Sequence, residues 1–178
     1  GIRALGERSK LISTGRGIRR EGGLHTLYIS PLKALAVDIE RNLMKPVTEM
    51  GLPVSVENRT GDTPAGKRQR QKLNPPDILL TTPEQVALLL ANREAERFFK
   101  DLKYIVFDEL HSLVTPKRGH MLSLGLARIR RLAPSVQTIG LSATVAQPMD
   151  LQKWLVAQEQ GKEQHAGLVL VDGGAKPD

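Results

Sequence analysis

In this 178-residue chain the residues best suited to chemistry stand immediately after apolar runs. Asp108-Glu109 follows Tyr104-Ile105-Val106-Phe107 directly, and His111 comes two residues later. Two adjacent carboxylates in that place can divide a reaction between them, the first holding Mg2+ through water and the second orienting an attacking water. The same pair could also serve only to cap a helix. Ser142-Ala143-Thr144 follows Thr138-Ile139-Gly140-Leu141 in the same way and offers two hydroxyls, or simply a helix N-cap. Ser30-Pro31-Leu32-Lys33 and Thr81-Thr82-Pro83-Glu84 are two further turns able to aim backbone N–H groups at an anion.

The elements that must position these residues are short apolar strands alternating with helical patterns. Leu24 to Ile29 reads as a strand, and Leu32 to Met50 continues with Leu32, Leu35, Ala36, Ile39 and Leu43 at the spacing of one helix face. Val54-Ser55-Val56 and Ile78-Leu79-Leu80 predict two more strands. Pro83 suits the first position of a helix capped by Thr82, with Val86, Leu89 and Leu90 turned inward. Tyr104–Phe107, Val136–Leu141 and a closing Leu168–Val171 complete the strands. Strands that alternate with helices predict an α/β domain with a parallel sheet covered on both faces, because parallel neighbours need crossover connections. In such sheets ligands bind beyond the carboxyl ends of the strands, where the residues above are found.

Composition narrows the classes. Hydrophobic residues make 40% of the chain and charged ones 25%, the balance of a globular protein rather than a disordered one. No apolar run approaches the roughly 18 to 20 residues needed to cross a bilayer, and Gly1-Ile2-Arg3-Ala4-Leu5 does not open a signal peptide. No membrane partner is expected. The absence of cysteine excludes disulfides, thiolate zinc sites and thiol nucleophiles, and favours a cytoplasmic address. Lys and Arg number 26 against 19 Asp and Glu, a net charge of +7 that points to a polyanionic partner. The excess gathers at Arg3, Arg8, Lys10, Arg16, Arg19 and Arg20, and again at Lys67, Arg68, Arg70 and Lys72. As aromatics are only 3%, phosphate contacts rather than base stacking would dominate binding to nucleic acid.

Taken in order, Pro31-Leu32-Lys33-Ala34-Leu35-Ala36, Thr60-Gly61-Asp62, Thr81-Thr82-Pro83-Glu84, Asp108-Glu109-Leu110-His111 and Ser142-Ala143-Thr144 resemble motifs Ia, Ic, Ib, II and III of the superfamily 2 helicases. The Asp-Glu-x-His form, Thr26 to Leu35 and Arg59-Thr60-Gly61-Asp62-Thr63-Pro64 resemble the large helicase-related group, and within it the bacterial ligase-associated DEXH-box DNA helicases. The resemblance spans about residues 22–157 and implies a RecA-like sheet. It also implies that Asp108 coordinates Mg2+, Glu109 activates water and His111 links the nucleotide site to the nucleic-acid site, while Ser142, Ala143 and Thr144 couple hydrolysis to movement. Pro31, Lys33, Thr60, Gly61, Thr82 and Pro83 would contact the backbone of a single strand, with Lys67, Arg68 and Arg70 beside them. ATP and Mg2+ are the implied cofactors of the intact protein. Its implied partners are single-stranded or partly duplex DNA, the remaining helicase domains, and repair proteins such as a ligase or nuclease.

Two parts of such a motor are not found here. Upstream of Pro31 there is no G-x-x-x-x-G-K-[ST] loop to cradle phosphates. The near match Gly61 to Arg68 ends in arginine where a hydroxyl is needed and falls in the turn that the resemblance assigns to DNA, so it reads as a phosphate contact or a solvated loop. The chain is also too short for the second motor domain that supplies arginine fingers. We therefore expect residues 1–21 to be poorly packed or foreign to the fold, residues 22–157 to form a partial RecA-like domain incomplete at its N-terminal side, and residues 158–178 to lead out of it. On this reading the chain alone is inactive and its parent is an ATP-dependent DNA helicase active in repair. The competing reading is a non-catalytic basic module that binds nucleic acid.

Overall fold

The computed structural model describes residues 10–14, 17–21, 23–143, 148–158 and 161–169. Strands β1 (Lys10–Thr14) and β2 (Gly17–Glu21) pair antiparallel as a separate two-stranded sheet, with Leu11 opposite Arg20. The main sheet holds β3 (Thr26–Ile29), β4 (Val56–Arg59), β5 (Ile78–Thr81), β6 (Tyr104–Phe107) and β7 (Gln137–Gly140). Its order is β4-β5-β3-β6-β7, and every pairing is parallel.

Helices make the crossovers. They are α1 (Lys33–Glu49), α2 (Ala65–Leu73), α3 (Pro83–Leu90), α4 (Ala95–Phe99), α5 (Leu110–Leu113), α6 (Pro116–Leu132) and α7 (Pro148–Leu155). The strand side chains alternate between two cores, as the pleat requires. Leu27, Ile29, Leu79, Ile105 and Phe107 join the larger one, with Val86, Leu89, Phe98, Phe99, Leu113, Leu126 and Ile129 from the helices. Leu80 and Val56 join Ala36 and Val47 of α1 on the opposite face, and Tyr28 packs against that group. The expected parallel α/β sheet is thus present, covered on both faces at β3, β4 and β5, whereas at β7 the face opposite the larger core is open, with Ile139 42% exposed.

Two strands differ from expectation. The segment foreseen at Val54–Val56 begins its ladder only at Val56 and runs on through the polar run Glu57-Asn58-Arg59. Ser55 stays joined to β5 through its carbonyl, which accepts Ile78 N–H (3.0 Å), while its own N–H and hydroxyl donate to Asp77 Oδ2, at 2.7 and 2.6 Å. Polar residues can continue the strand because each has a partner: Glu57 takes Arg70 and Gln71, while Asn58 is held by Glu40 of α1. Asn58 lies on the outer edge of the sheet, and its main-chain groups are satisfied there by side chains, the N–H by Glu40 and the carbonyl by Gln71. At Asn58 the strand edge therefore offers no free main-chain groups to a further strand. The expected strand at Leu168–Val171 is absent at Leu168 and Val169, which lie outside any ladder with Val169 86% exposed. With so little burial, nothing offsets the cost of ordering them as a strand. Leu170 and Val171 fall outside the described residues.

Gly140 ends β7 at a close approach. A Cβ there would lie 2.6 Å from a methyl of Leu110 and 2.9 Å from one of Leu155, both buried. Gly140→Ala should therefore overpack the larger core and destabilise the chain by about 1–3 kcal/mol in urea unfolding. Gly66→Ala, with open space around it in the first turn of α2, is the control that should not destabilise and, by helix propensity, should add up to about 1 kcal/mol.

Candidate functional site

The sheet register aligns Arg59 with Thr81, Thr81 with Ile29, Ile29 with Phe107 and Phe107 with Gly140. The next residue on each strand is therefore one member of a single row: Thr60, Thr82, Ser30, Asp108 and Leu141. The ladder extends one step into this row, since Ser30 N–H donates to the Thr81 carbonyl (3.0 Å), Asp108 N–H to Ile29 (2.9 Å) and Leu141 N–H to Phe107 (2.8 Å). All the turns singled out in the sequence thus emerge from one edge of the sheet. They are also sorted along it. Residues assigned to a nucleic-acid strand follow β4, β5 and β3, whereas those assigned to nucleotide chemistry follow β6 and β7.

At the nucleotide end, Asp108 Oδ1 accepts the N–H of Glu109 at 3.0 Å. Glu109 has φ +47°, the one positive φ outside glycine among the described residues. A side chain in the left-handed region costs roughly 1–2 kcal/mol, and such strain concentrates where a side chain must be aimed. Here the twist turns the chain from β6 into α5 while Ser112 N–H donates to the Glu109 carbonyl (2.8 Å) and Leu110 N–H to that of Leu141 (2.8 Å). His111 Nδ1 lies 2.7 Å from Ser142 Oγ and 3.4 Å from Glu109 Oε2. With Nδ1 protonated the ring donates to the serine; with Nδ1 bare the serine hydroxyl donates to the ring. Either arrangement joins the turn after β6 to the turn after β7. Ala143 is exposed and Thr144 lies outside the described residues.

Tyr28 reaches this site from β3. Burial first, then the charge of Asp108 and a hydrogen bond to it, push its phenol up to about 12. It therefore keeps its proton near neutrality and donates to Asp108. The sequence reading missed this residue because it sits mid-strand, where an apolar role is the default.

At the other end, Lys33 Nζ donates to both carboxylate oxygens of Asp62, at 3.1 and 2.9 Å. The turn that carries Asp62 is closed by Thr63: its hydroxyl accepts Thr60 N–H (2.9 Å) and its N–H donates to the Thr60 carbonyl (3.2 Å). Thr60, Thr82, Pro31 and Pro83 are buried and shape the turns, while Lys33, Gly61 and Arg70 reach solvent and Lys67 and Arg68 are half-buried. Arg70 is not free, since its guanidinium grips Glu57 at 2.9 and 2.6 Å. Burial would raise the Glu57 carboxyl, but the hydrogen bonds from Arg70 and Gln71 outweigh it and hold the group below its ordinary value.

Arg59 was quoted in the sequence only as part of a run. The structure buries it to 4% exposure, with Nη1 donating to the Arg68 carbonyl at 3.0 Å and Nε unpartnered. Burial, and the nearby Arg68 charge, lower its affinity for a proton. Arg59 lies beyond the strand expected at 54–56 and is the last residue of the observed β4, where it is buried.

A family model described as DEAD/DEAH box helicase matches residues 7–151. The Lhr helicase/probable uracil glycosylase of Mycolicibacterium smegmatis is 42% identical over 147 residues, covering 76% of this chain and 10% of the relative. The ATP-dependent helicase Lhr-Core of Methanothermobacter thermautotrophicus is 39% identical over 160 residues, covering 85% and 19%. The solved structure of the Mycobacterium smegmatis helicase Lhr bound to ssDNA and AMP-PNP superposes with a TM-score of 0.68 at 41% identity, covering 76% of this chain and 19% of that one. The sheet is thus the RecA-like one that the motifs implied. The chain spans only 10 to 19% of the length of these two curated relatives.

The twist at Glu109 can be measured. Glu109→Gly should be more stable than Glu109→Ala by about 1 kcal/mol in urea unfolding, because only glycine is free of the left-handed penalty. Equal stabilities would show that no strain is stored there.

Proposed function

The chain belongs to the DEAD/DEAH box helicase family, and from that premise we propose that it forms part of the first motor domain of an ATP-dependent DNA helicase. The observation that carries this reading is the sorted row at the sheet edge. One ladder fixes Asp108, Glu109, His111 and Ser142 beside the turns of Lys33, Thr60-Gly61 and Thr82. A module that only binds a polyanion has no use for two adjacent carboxylates, one of them strained, facing its own ligand.

The residues present fit Mg2+ on a nucleotide whose phosphates are cradled by a loop that this sequence does not contain. Among the described residues no group of three or more His, Cys, Asp or Glu could hold a metal. Mg2+ on a nucleotide ordinarily takes only one or two protein carboxylates, the phosphates and water supplying the rest. Asp108 would hold the ion, and a bound Mg2+ would supply neutralising charge on the phosphates. Tyr28 and the Glu109 N–H fix the Asp108 carboxylate. Glu109 orients the attacking water and draws off its proton, and His111 bears on Ser142, so that a change at Glu109 can be felt at the turn after β7. Lys33, the Thr60-Gly61 turn, Lys67 and Arg68 contact phosphates of the strand without reading its bases, as a motor that travels along any sequence requires. Ser142, Ala143 and Thr144 couple the two ends.

DNA as the strand is supported by the ssDNA in the solved relative. A repair role is supported by a relative whose name joins helicase to probable uracil glycosylase. A ligase or nuclease is a fitting partner in that setting, and the chain's lack of cysteine suits the cytoplasm. The chain alone is proposed to be inactive, because positioning of phosphates by a P-loop lysine and by a second-domain arginine supplies much of phosphoryl transfer.

Two outcomes follow. In a polypeptide that also carries the phosphate-binding loop and second domain, Glu109→Gln should leave nucleotide affinity nearly unchanged and lower hydrolysis by about 10² or more; Asp108→Asn should weaken Mg2+-dependent nucleotide binding as well. Hydrolysis by Glu109→Gln at the unaltered rate would remove the motor assignment. The 178-residue chain should bind oligo(dT) with an affinity that falls steeply with salt, and Arg68→Ala should flatten the log–log slope by about 0.7, the value of one single-strand phosphate contact. Arg70→Ala should flatten it less, as that guanidinium is already engaged by Glu57.

A further inference from the structure

Lys33 and Arg70, two cations placed among the strand contacts, each hold a carboxylate of their own chain, but the two pairs are built differently. Arg70–Glu57 is anchored on a strand: the Glu57 side chain is only 18% exposed, Gln71 donates to the same carboxylate, and its protons are held off by these partners. Lys33–Asp62 is exposed on both sides, at 57% and 77%. An exposed pair of this kind contributes little to stability and is readily exchanged.

Its position gives the exchange a consequence. Lys33 is the first residue of α1, a 17-residue helix with no acidic residue in its first turn and no side-chain cap on its N-terminus. A cation there is unfavourable without a nearby anion, as the helix dipole is positive at that end. The anion supplied is Asp62, held by a turn whose hydrogen bonds close within residues 60–63. Gly61 lies against the lysine: a Cβ at that position would be in van der Waals contact with the Lys33 ammonium, at 3.7 Å.

We infer that the Asp62 carboxylate occupies the place of a strand phosphate on Lys33, so that single-stranded DNA binds this face by exchanging its phosphate for Asp62. The inference rests on the proposed nucleic-acid role of the face and deepens it. Exchange has two effects. It lowers the net gain from the Lys33 contact, because one ion pair is broken for each one made. It also gives the lysine an anion to return to when the phosphate leaves, which lets a strand pass without leaving a bare cation at the helix start.

The test is fluorescence anisotropy of labelled oligo(dT) with the 178-residue chain at several salt concentrations, using wild type, Asp62→Asn, Lys33→Ala and the double variant, with circular dichroism to check folding. Asn keeps the size of the side chain and leaves the Thr60–Thr63 bonds in place, so the turn should persist; Asp62→Ser is the second variant if it does not. Asp62→Asn should tighten binding about 3- to 10-fold at low salt and steepen the log–log salt slope by up to about 0.7, because Lys33 then meets the phosphate with free counterions to release. In the Lys33→Ala background the same change should have less than a 2-fold effect. An equal gain in both backgrounds would reduce Asp62 to general negative charge and overturn the inference. So would Lys33-dependent binding that Asp62→Asn leaves unchanged or weakens. Absence of binding by every variant would instead overturn the nucleic-acid reading, and this inference with it.

Discussion

Everything at the candidate site depends on one constraint, the common direction of five hydrogen-bonded strands. Because all the pairings are parallel, all five carboxyl ends finish on the same edge, and the register fixes which residue of each strand finishes beside which. An antiparallel neighbour would send its carboxyl end to the opposite edge. The crossover helices that parallel pairing demands cover both sheet faces at β3, β4 and β5, so the carboxyl edge is where the polar groups of those strands gather, with Ser30, Thr60 and Thr82 buried in its turns. The site is therefore a consequence of topology before it is a matter of particular side chains.

Much of this was legible in the sequence, for a physical reason. Buried parallel strands are written as short continuous apolar runs, and Leu24–Ile29, Ile78–Leu80 and Tyr104–Phe107 are nearly undiluted ones. The polar residue after each run marks where the apolar side chains stop and the ladder is about to end, although Ser30, Thr81 and Thr82 are themselves buried. Asp108-Glu109 and Thr81-Thr82 could be placed at the edge on that ground alone. The edge strand β4 was misplaced because its hydrogen-bonded length is carried by Glu57, Asn58 and Arg59, whose burial relies on partners as much as 18 residues away in α1 and 14 away in α2. Propensity has no access to such partners. Tyr28 and the left-handed Glu109 were hidden for related reasons. The first acts through a neighbouring strand, and the second is a backbone conformation that glutamate by itself disfavours.

The two ends of the row are built to different standards of rigidity. At the carboxylate end, Asp108 is tied by its own N–H to the ladder and by its side chain to Glu109 N–H, with the phenol of Tyr28 close enough for the Asp108 charge to keep it protonated. Glu109 is held against its own preference by the turn into α5 and faces His111. Chemistry on a phosphate needs groups fixed to about half an ångström, and several mutually supporting bonds achieve that where one would not. The strain at Glu109 is evidence for this fixing, since an unconstrained turn would relax it.

At the cation end, the burial of each ion pair decides what it can do. Glu57 binds Arg70 and Gln71 together in a half-buried setting, so removing Arg70 would leave a carboxylate short of partners at the sheet edge; the pair is a tie between β4 and α2. Lys33 and Asp62 lie in solvent, where water replaces either partner at little cost and screening weakens the attraction at cellular salt. A polyanion that must be held and then released needs contacts of the second kind. The Glu109–His111 pair is itself 37% exposed on both sides, so this end is kept in register by the bonds to Asp108 and the backbone twist at Glu109 rather than by burial of an ion pair; if Lys33 were buried like Arg59, no phosphate could reach it. The separation of fixed and exchangeable charge along one sheet edge is thus what allows a single ladder to serve hydrolysis at β6 and β7 and a passing strand at β3, β4 and β5 on the function proposed.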